Sequence, residues 1–182
     1  SVTAQLSAMS TFNVTVPFTL TGSASGLDYT MTASPLTILA GQTTATATIT
    51  ITTDTLDEIN ESVIVTMGTS TNALATGTTV HTATITDDDF PTVQFTSASQ
   101  SSVNESGTMS VTAQLSAMST FNVTVPFTLT GSASGLDYTM TGSPITIAAG
   151  QTTATATITI TTDTLDENDE TIIVTMGTST NA

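Results

Sequence analysis

Thr43-Thr44-Ala45-Thr46-Ala47-Thr48-Ile49-Thr50-Ile51-Thr52 alternates apolar residues with threonine at a period of two, and the same ten residues return at 152–161. Period two is the signature of a strand, because successive side chains leave a pleated chain on opposite faces. Ala45, Ala47, Ile49 and Ile51 are therefore expected to face inward, and Thr44, Thr46, Thr48 and Thr50 outward. Threonine is the polar residue best suited to a wet strand face, a plainer reading of the hydroxyl ladder than an ice-binding surface. Shorter patterns of the same kind occur at residues 1–7, 13–20, 35–39, 62–67, 78–86 and 92–96. No segment carries a convincing helical period. Many short strands divided by Gly, Asn, Asp and Ser turns predict an all-β chain of antiparallel, Ig-like β-sandwiches, since a parallel sheet needs crossover helices.

The chain also repeats itself. Residues 1–73 realign with 110–182 at an offset of 109, and only seven positions differ: Ala33/Gly142, Leu36/Ile145, Leu39/Ala148, Ile59/Asn168, Asn60/Asp169, Ser62/Thr171 and Val63/Ile172. That period exceeds a solenoid turn and matches one compact domain, with about seven strands per copy. Two tandem domains are expected, at 1–89 and 90–182. The first lacks the counterpart of the strand and loop at 91–109, and the second lacks the counterpart of 74–89. A longer array, or missing strands supplied by other chains, is the expectation from this arrangement. Asp87-Asp88-Asp89-Phe90-Pro91 runs directly from one copy into the next, so the copies are expected to stack as a stiff rod.

Hydrophobic residues make up 38 % of the chain but aromatic residues only 4 %, with no Trp and no Cys. The core must come from Val, Ile, Leu, Ala and Met, without disulfide staples. No apolar run approaches the ~20 residues that span a bilayer, so direct membrane insertion is not expected. There is no Lys or Arg, and the net charge is -15. Nucleic acid is excluded as a partner on that ground, because basic side chains supply most of the affinity for phosphate. Catalysis also lacks candidates: nucleophile activation and oxyanion stabilisation have one strand-borne residue, His81, to draw on.

All 15 acidic residues fall in clusters between strands. The first copy carries Asp28, then Asp54, Asp57, Glu58 and Glu61, then Asp87, Asp88 and Asp89. The second carries Glu105, Asp137, then Asp163, Asp166, Glu167, Asp169 and Glu170. No basic residue is present to pair with any of them, so a fold that gathers these oxygens needs cations from solvent. Clustered carboxylates suit a hard divalent ion, foremost Ca2+.

Motif by motif these residues resemble the Calx-β domain. Val103-Asn104-Glu105-Ser106-Gly107 matches its V-x-E-x-G segment before the second strand. Gly22 to Tyr29 and Gly131 to Tyr138, identical and each one residue shorter than the motif, match G-x-A-x-x-G-x-D-Y. The alternating strand runs into D-x-x-x-E-x-x-E, here Asp54, Glu58, Glu61 and Asp163, Glu167, Glu170. A closing strand, Thr82 to Thr86, precedes Asp87-Asp88-Asp89. The resemblance implies a sandwich whose calcium ligands gather at one end. Carried over by position, they are Asp28, Asp54, Glu58, Asp87, Asp88 and Asp89 in the first copy, and Glu105, Asp137, Asp163 and Glu167 in the second. Glu61 and Glu170 stand open between orienting the loop and touching metal. Family members often open the acidic loop with two adjacent Asp; here Thr53 and Thr162 stand first, which lowers the expected number of ions.

Near-identical copies suit a spacer, because repetition adds length without a new binding surface. The expectation is a calcium-binding, secreted or cell-surface structural repeat of a bacterial adhesin, surface fibre or matrix filament, with Ca2+ rigidifying its domain junctions. Its partners are neighbouring repeats, with homomeric strand exchange or filament assembly through uncharged strand edges. The alternative is a calcium-sensing regulatory module of a membrane transporter, as in sodium-calcium exchangers.

Overall fold

The computed structural model describes residues 1–100, 104 and 106–182. Those residues form strands, turns and loops and no helix. They divide into two compact units: unit 1 is Ser1–Asp54 with Ile59–Asp87, and unit 2 is Asp88–Ala182 with the short segment Thr55–Glu58.

Unit 1 contains β1 (Val2–Gln5), β2 (Val14–Val16), β3 (Phe18–Gly22), β4 (Tyr29–Met31), β5 (Leu36–Ile38), β6 (Thr44–Ala47), β7 (Ile49–Ile51), β8 (Glu61–Met67) and β9 (Val80–Ile85). Every pairing is antiparallel: β1 with β6, β2 with β5, β4 with β7, and β3-β8-β9 as a three-stranded sheet. Pro17 divides β2 from β3, because proline has no N–H to give a ladder; its carbonyl still accepts the Gly68 N–H at 2.8 Å. Ala4, Val14, Val16, Leu36, Ile38 and Ala47 form the core, flanked by Phe18, Met31 and Met67.

Unit 2 contains β10 (Val93–Phe95), β11 (Gly107–Leu115), β12 (Val123–Val125), β13 (Phe127–Gly131), β14 (Tyr138–Met140), β15 (Ile145–Ile147), β16 (Thr153–Ile160) and β17 (Ile172–Met176). A four-stranded sheet, β10-β11-β16-β14, faces the ribbons β12-β15 and β13-β17. Between these layers lie Ala113 and Leu115 of β11, Ala156 and Ile158 of β16, and Val123, Val125, Phe127, Ile145 and Ile147. The core is aliphatic, as the composition requires.

The alternating stretch behaves differently in the two units. In unit 2 it is one strand, held along its whole length by β11 and over its last third by β14. In unit 1 it is broken at Thr48: β6 pairs only with β1 and β7 only with β4. The four outward threonines, Thr44 to Thr50, are exposed as expected, and Ala47 is buried. Ile51 departs from expectation, being 47 % exposed. Its single partner is Tyr29, whereas its counterpart Ile160 is flanked by both Gly107 and Tyr138 and is half-buried.

Candidate metal centre

The acidic site of unit 2 is assembled from two loops that the sheet registers bring together. Asp137 closes a tight turn that opens at Ser134. Its Oδ2 accepts the Ser134 N–H at 2.5 Å, its own N–H reaches the Ser134 carbonyl at 3.2 Å, and Ser134 Oγ accepts the Leu136 N–H at 3.2 Å. Directly after the turn Tyr138 enters β14 opposite Ile160 of β16, and the Asp137 carbonyl accepts the Thr161 N–H at 2.8 Å. The acidic loop leaving β16 therefore begins beside Asp137.

The far end of that loop is fixed just as closely. Gly131 pairs with Ile172, the Thr171 carbonyl accepts the Ala133 N–H at 3.1 Å, and the Thr171 N–H donates to Ser132 Oγ at 2.9 Å. Thr171 thus holds Glu170 against the Asp137 turn. One carboxylate oxygen each from Asp137, Glu167 and Glu170 lies within 4.8 Å of the others. Asp163 and Asp169 line the same cleft, whose volume is about 730 Å3.

The electrostatics of this group are those of carboxylates without a counter-charge. Hydrogen bonds from the Ser134 side chain and then its backbone hold Asp137 below the usual carboxylate range, helped by a bond with Glu170. Glu170 moves the other way, raised by desolvation, by its hydrogen bond to Asp137, and by the charges of Asp137 and Glu167. One carboxylate kept ionised beside one inclined to keep its proton is what crowding of negative charge produces.

The sign of the pH dependence follows. The lowered Asp137 favours the fold above its unfolded value and loses that contribution as pH falls through its folded value. The raised Glu170 favours the fold while protonated, and that contribution is lost as pH rises through its folded value, above its ordinary 4.5. In excess EDTA, unit 2 is expected to lose stability as pH rises from about 4 to 8 across the Glu170 range. Glu170→Gln should remove this decline; thermal melts across that range check it, and an unchanged decline in the variant would count against the pair.

In the first copy the corresponding turn recurs: Asp28 Oδ2 accepts the Ser25 N–H at 2.5 Å, and the Asp28 carbonyl accepts the Thr52 N–H at 2.9 Å. Bonds from the Ser25 side chain and backbone lower Asp28, and Glu61 also bonds to it. Asp28 and Asp54 both belong to unit 1, and Glu58 to the short segment included in unit 2.

Of the residues expected from sequence, the structure thus groups Asp137 with Glu167 in the second copy, while Asp28 and Asp54 lie in unit 1 and Glu58 in unit 2. Asp163 borders the Asp137 group without joining it; its Oδ1 accepts the Leu165 N–H at 2.8 Å and shapes the loop. Asp87, Asp88 and Asp89 do not join that group, and the Asp87 N–H donates to Asn60 Oδ1 at 2.9 Å. Glu105 lies outside the described residues. Glu170, left open by the motif spacing, joins the Asp137 group. Three carboxylates with no basic neighbour fit a hard, oxygen-seeking cation and offer nothing to soft-metal chemistry.

Tandem antiparallel sandwiches with acidic loops gathered beside a strand end define a class of small β modules. The Calx-beta domain model matches residues 3–89 and 86–182, and the chain belongs to that family. Calx-beta domains are non-catalytic binding modules. Among solved structures, the chain is similar to CBD12 from CALX1.2, with 16 % identity, a TM-score of 0.42, and coverage of 96 % of this chain and 71 % of that one. It is also similar to the calcium binding domain CBD12 of CALX1.1, with 14 % identity, a TM-score of 0.43, and coverage of 98 % and 73 %. No curated protein matches the chain. Among the described residues no helix is long and apolar enough to cross a membrane.

Proposed function

We propose that this chain is a calcium-binding structural repeat of an extracellular bacterial adhesin, surface fibre or matrix filament. The observation that carries the reading is the convergence of Asp137, Glu167 and Glu170 within 4.8 Å in a chain with no Lys or Arg. Asp137 and Glu170 would hold the ion from the ends of two loops and Glu167 from the middle of one, so that loading ties the β13–β14 turn to the β16–β17 loop. The bound ion supplies the positive charge the chain lacks. Near-identity of the two copies supports a spacer, in which each module repeats one mechanical role and neither carries chemistry of its own.

Extracellular modules bind Ca2+ with Kd of about 10⁻⁴ to 10⁻³ M, filling outside a cell and emptying inside it. Calorimetric titration of the whole chain is expected to give binding in that range, with the Glu167→Gln/Glu170→Gln double variant losing the sites of unit 2. Sub-micromolar binding would instead favour a sensor. An absence of binding at several millimolar Ca2+ would overturn both.

A further inference from the structure

Asp57 is the outlier of the acidic set. It is only 5 % exposed, and it is seated in unit 2 on Ser119, which is 1 % exposed. Ser119 Oγ donates to Asp57 Oδ2, the Asp57 N–H donates to the Met118 carbonyl at 3.1 Å, and the Asp57 carbonyl accepts both the Thr120 N–H at 2.9 Å and Thr120 Oγ1–H at 3.0 Å. A one-residue parallel bridge, Asp57 to Ser119, results. This is a plug and socket, built from Thr55-Leu56-Asp57-Glu58 and Met118-Ser119-Thr120-Phe121.

Both halves occur a second time in the same chain. Thr164-Leu165-Asp166-Glu167 repeats the plug, and Met9-Ser10-Thr11-Phe12 repeats the socket, without a substitution in either. The second socket has the same frame as the first. Ser10 Oγ accepts the Phe12 N–H at 3.0 Å as Ser119 Oγ accepts the Phe121 N–H at 3.0 Å, and the Ser10 carbonyl accepts the Gly41 N–H at 2.8 Å as that of Ser119 accepts the Gly150 N–H at 2.8 Å. It is more open to solvent: Phe12 is 66 % exposed, whereas Phe121 is half-buried. The second plug stands out as well, with Leu165 63 % exposed where Leu56 is half-buried.

We propose that the Asp166 loop of one chain docks into the Ser10 socket of a second copy, with the hydrogen bonds that Asp57 makes to the Met118–Thr120 backbone and Ser119. Plug and socket are different surfaces, so the contact is heterologous and leaves one of each free for further copies, which is the geometry of open assemblies. The socket is already in its bound shape, so docking orders little new structure. The patch is small and belongs to the weak class of interfaces. Docking needs no bound ion and stands apart from the calcium reading.

Sedimentation equilibrium tests this in about 150 mM NaCl, which screens the net negative charge, with 2 mM Ca2+ and again with EDTA. The wild-type chain is expected to show rising average mass up to about 1 mM protein. Ser10→Ala or Asp166→Ala should each weaken association by about tenfold, although the second variant reduces charge repulsion. Ser119→Ala, which touches only the occupied socket, should leave it unchanged. An equimolar mixture of Ser10→Ala, whose plug is intact, with Asp166→Ala, whose socket is intact, should form a one-to-one complex and stop there. A wild type that stays monomeric at 1 mM overturns the proposal. So does association indifferent to Ser10→Ala, which would assign it to ion bridging.

Discussion

At about 10 mM Ca2+ the chain should melt roughly 10–20 °C higher than in excess EDTA. A site with Kd near 10⁻⁴ M is then at about 100 times its Kd, and a ligand that binds only the folded state contributes about 2.7 kcal/mol there. In a domain of 60–100 residues each kcal/mol moves the melting temperature by about 4–8 °C. The effect is large because the cation relieves a repulsion that the chain cannot relieve itself, having no Lys or Arg. Glu167→Gln with Glu170→Gln should cancel the gain in unit 2 alone and split the calcium-loaded melt into two transitions. In EDTA the same variant should melt at or above wild type, because it removes charges that repel; that separates a lost ligand from a damaged fold. Mg2+ should shift the melt less, since it holds its waters and demands a tighter octahedral shell. A calcium shift below about 2 °C would sink the reading.

Much of the architecture is legible along the chain, and the reasons it is legible mark where reading stops. Ala45 to Ile51 announces a strand because period two needs no distant information. Whether that strand is continuous does need it: β16 persists because β11 runs beside all of it, and its identical counterpart breaks where only short strands flank it. β4 lies outside the stretches legible as strands, because its place opposite Ile49–Ile51 is set by the turn at Ser25–Asp28 and not by a pattern of its own. The acidic residues are legible as a set, and as ligands only in part. The motif carries Asp163 as a ligand and leaves Glu170 open, and the hydrogen bonds exchange their parts. Asp163 turns back to cap its own loop at Leu165, while Thr171, gripped by Ser132, presents Glu170 to Asp137. The seating of Asp57 on Ser119 pairs residues 62 positions apart, and no local pattern signals it.

The same clamp yields the sharpest test of how fold and site depend on each other. Gly131→Ala is expected to lower the stability of unit 2 by roughly 3 kcal/mol or more, a fall in melting temperature of about 10 °C or beyond. Gly131 has φ +130, which side-chain-bearing residues rarely adopt, and a Cβ there meets the Thr171 carbonyl oxygen at 2.1 Å and its carbon at 2.8 Å. Those atoms are backbone, so no rotamer change relieves the overlap. Thr171 must move, and it is the residue that positions Glu170. Calcium affinity should therefore fall with stability, although Gly131 offers no ligand atom. Gly135→Ala is the control on the same loop, since nothing lies within 4 Å of its added carbon and its φ is ordinary; it should leave both properties nearly unchanged. Gly22→Ala repeats the experiment in unit 1, where the added carbon meets the Ser62 carbonyl oxygen at 2.1 Å. A Gly131→Ala chain that melts within about 2 °C of wild type and binds calcium equally well would show that the loop tolerates displacement, and that the grip of β13 on Thr171 does not set the geometry of the carboxylates.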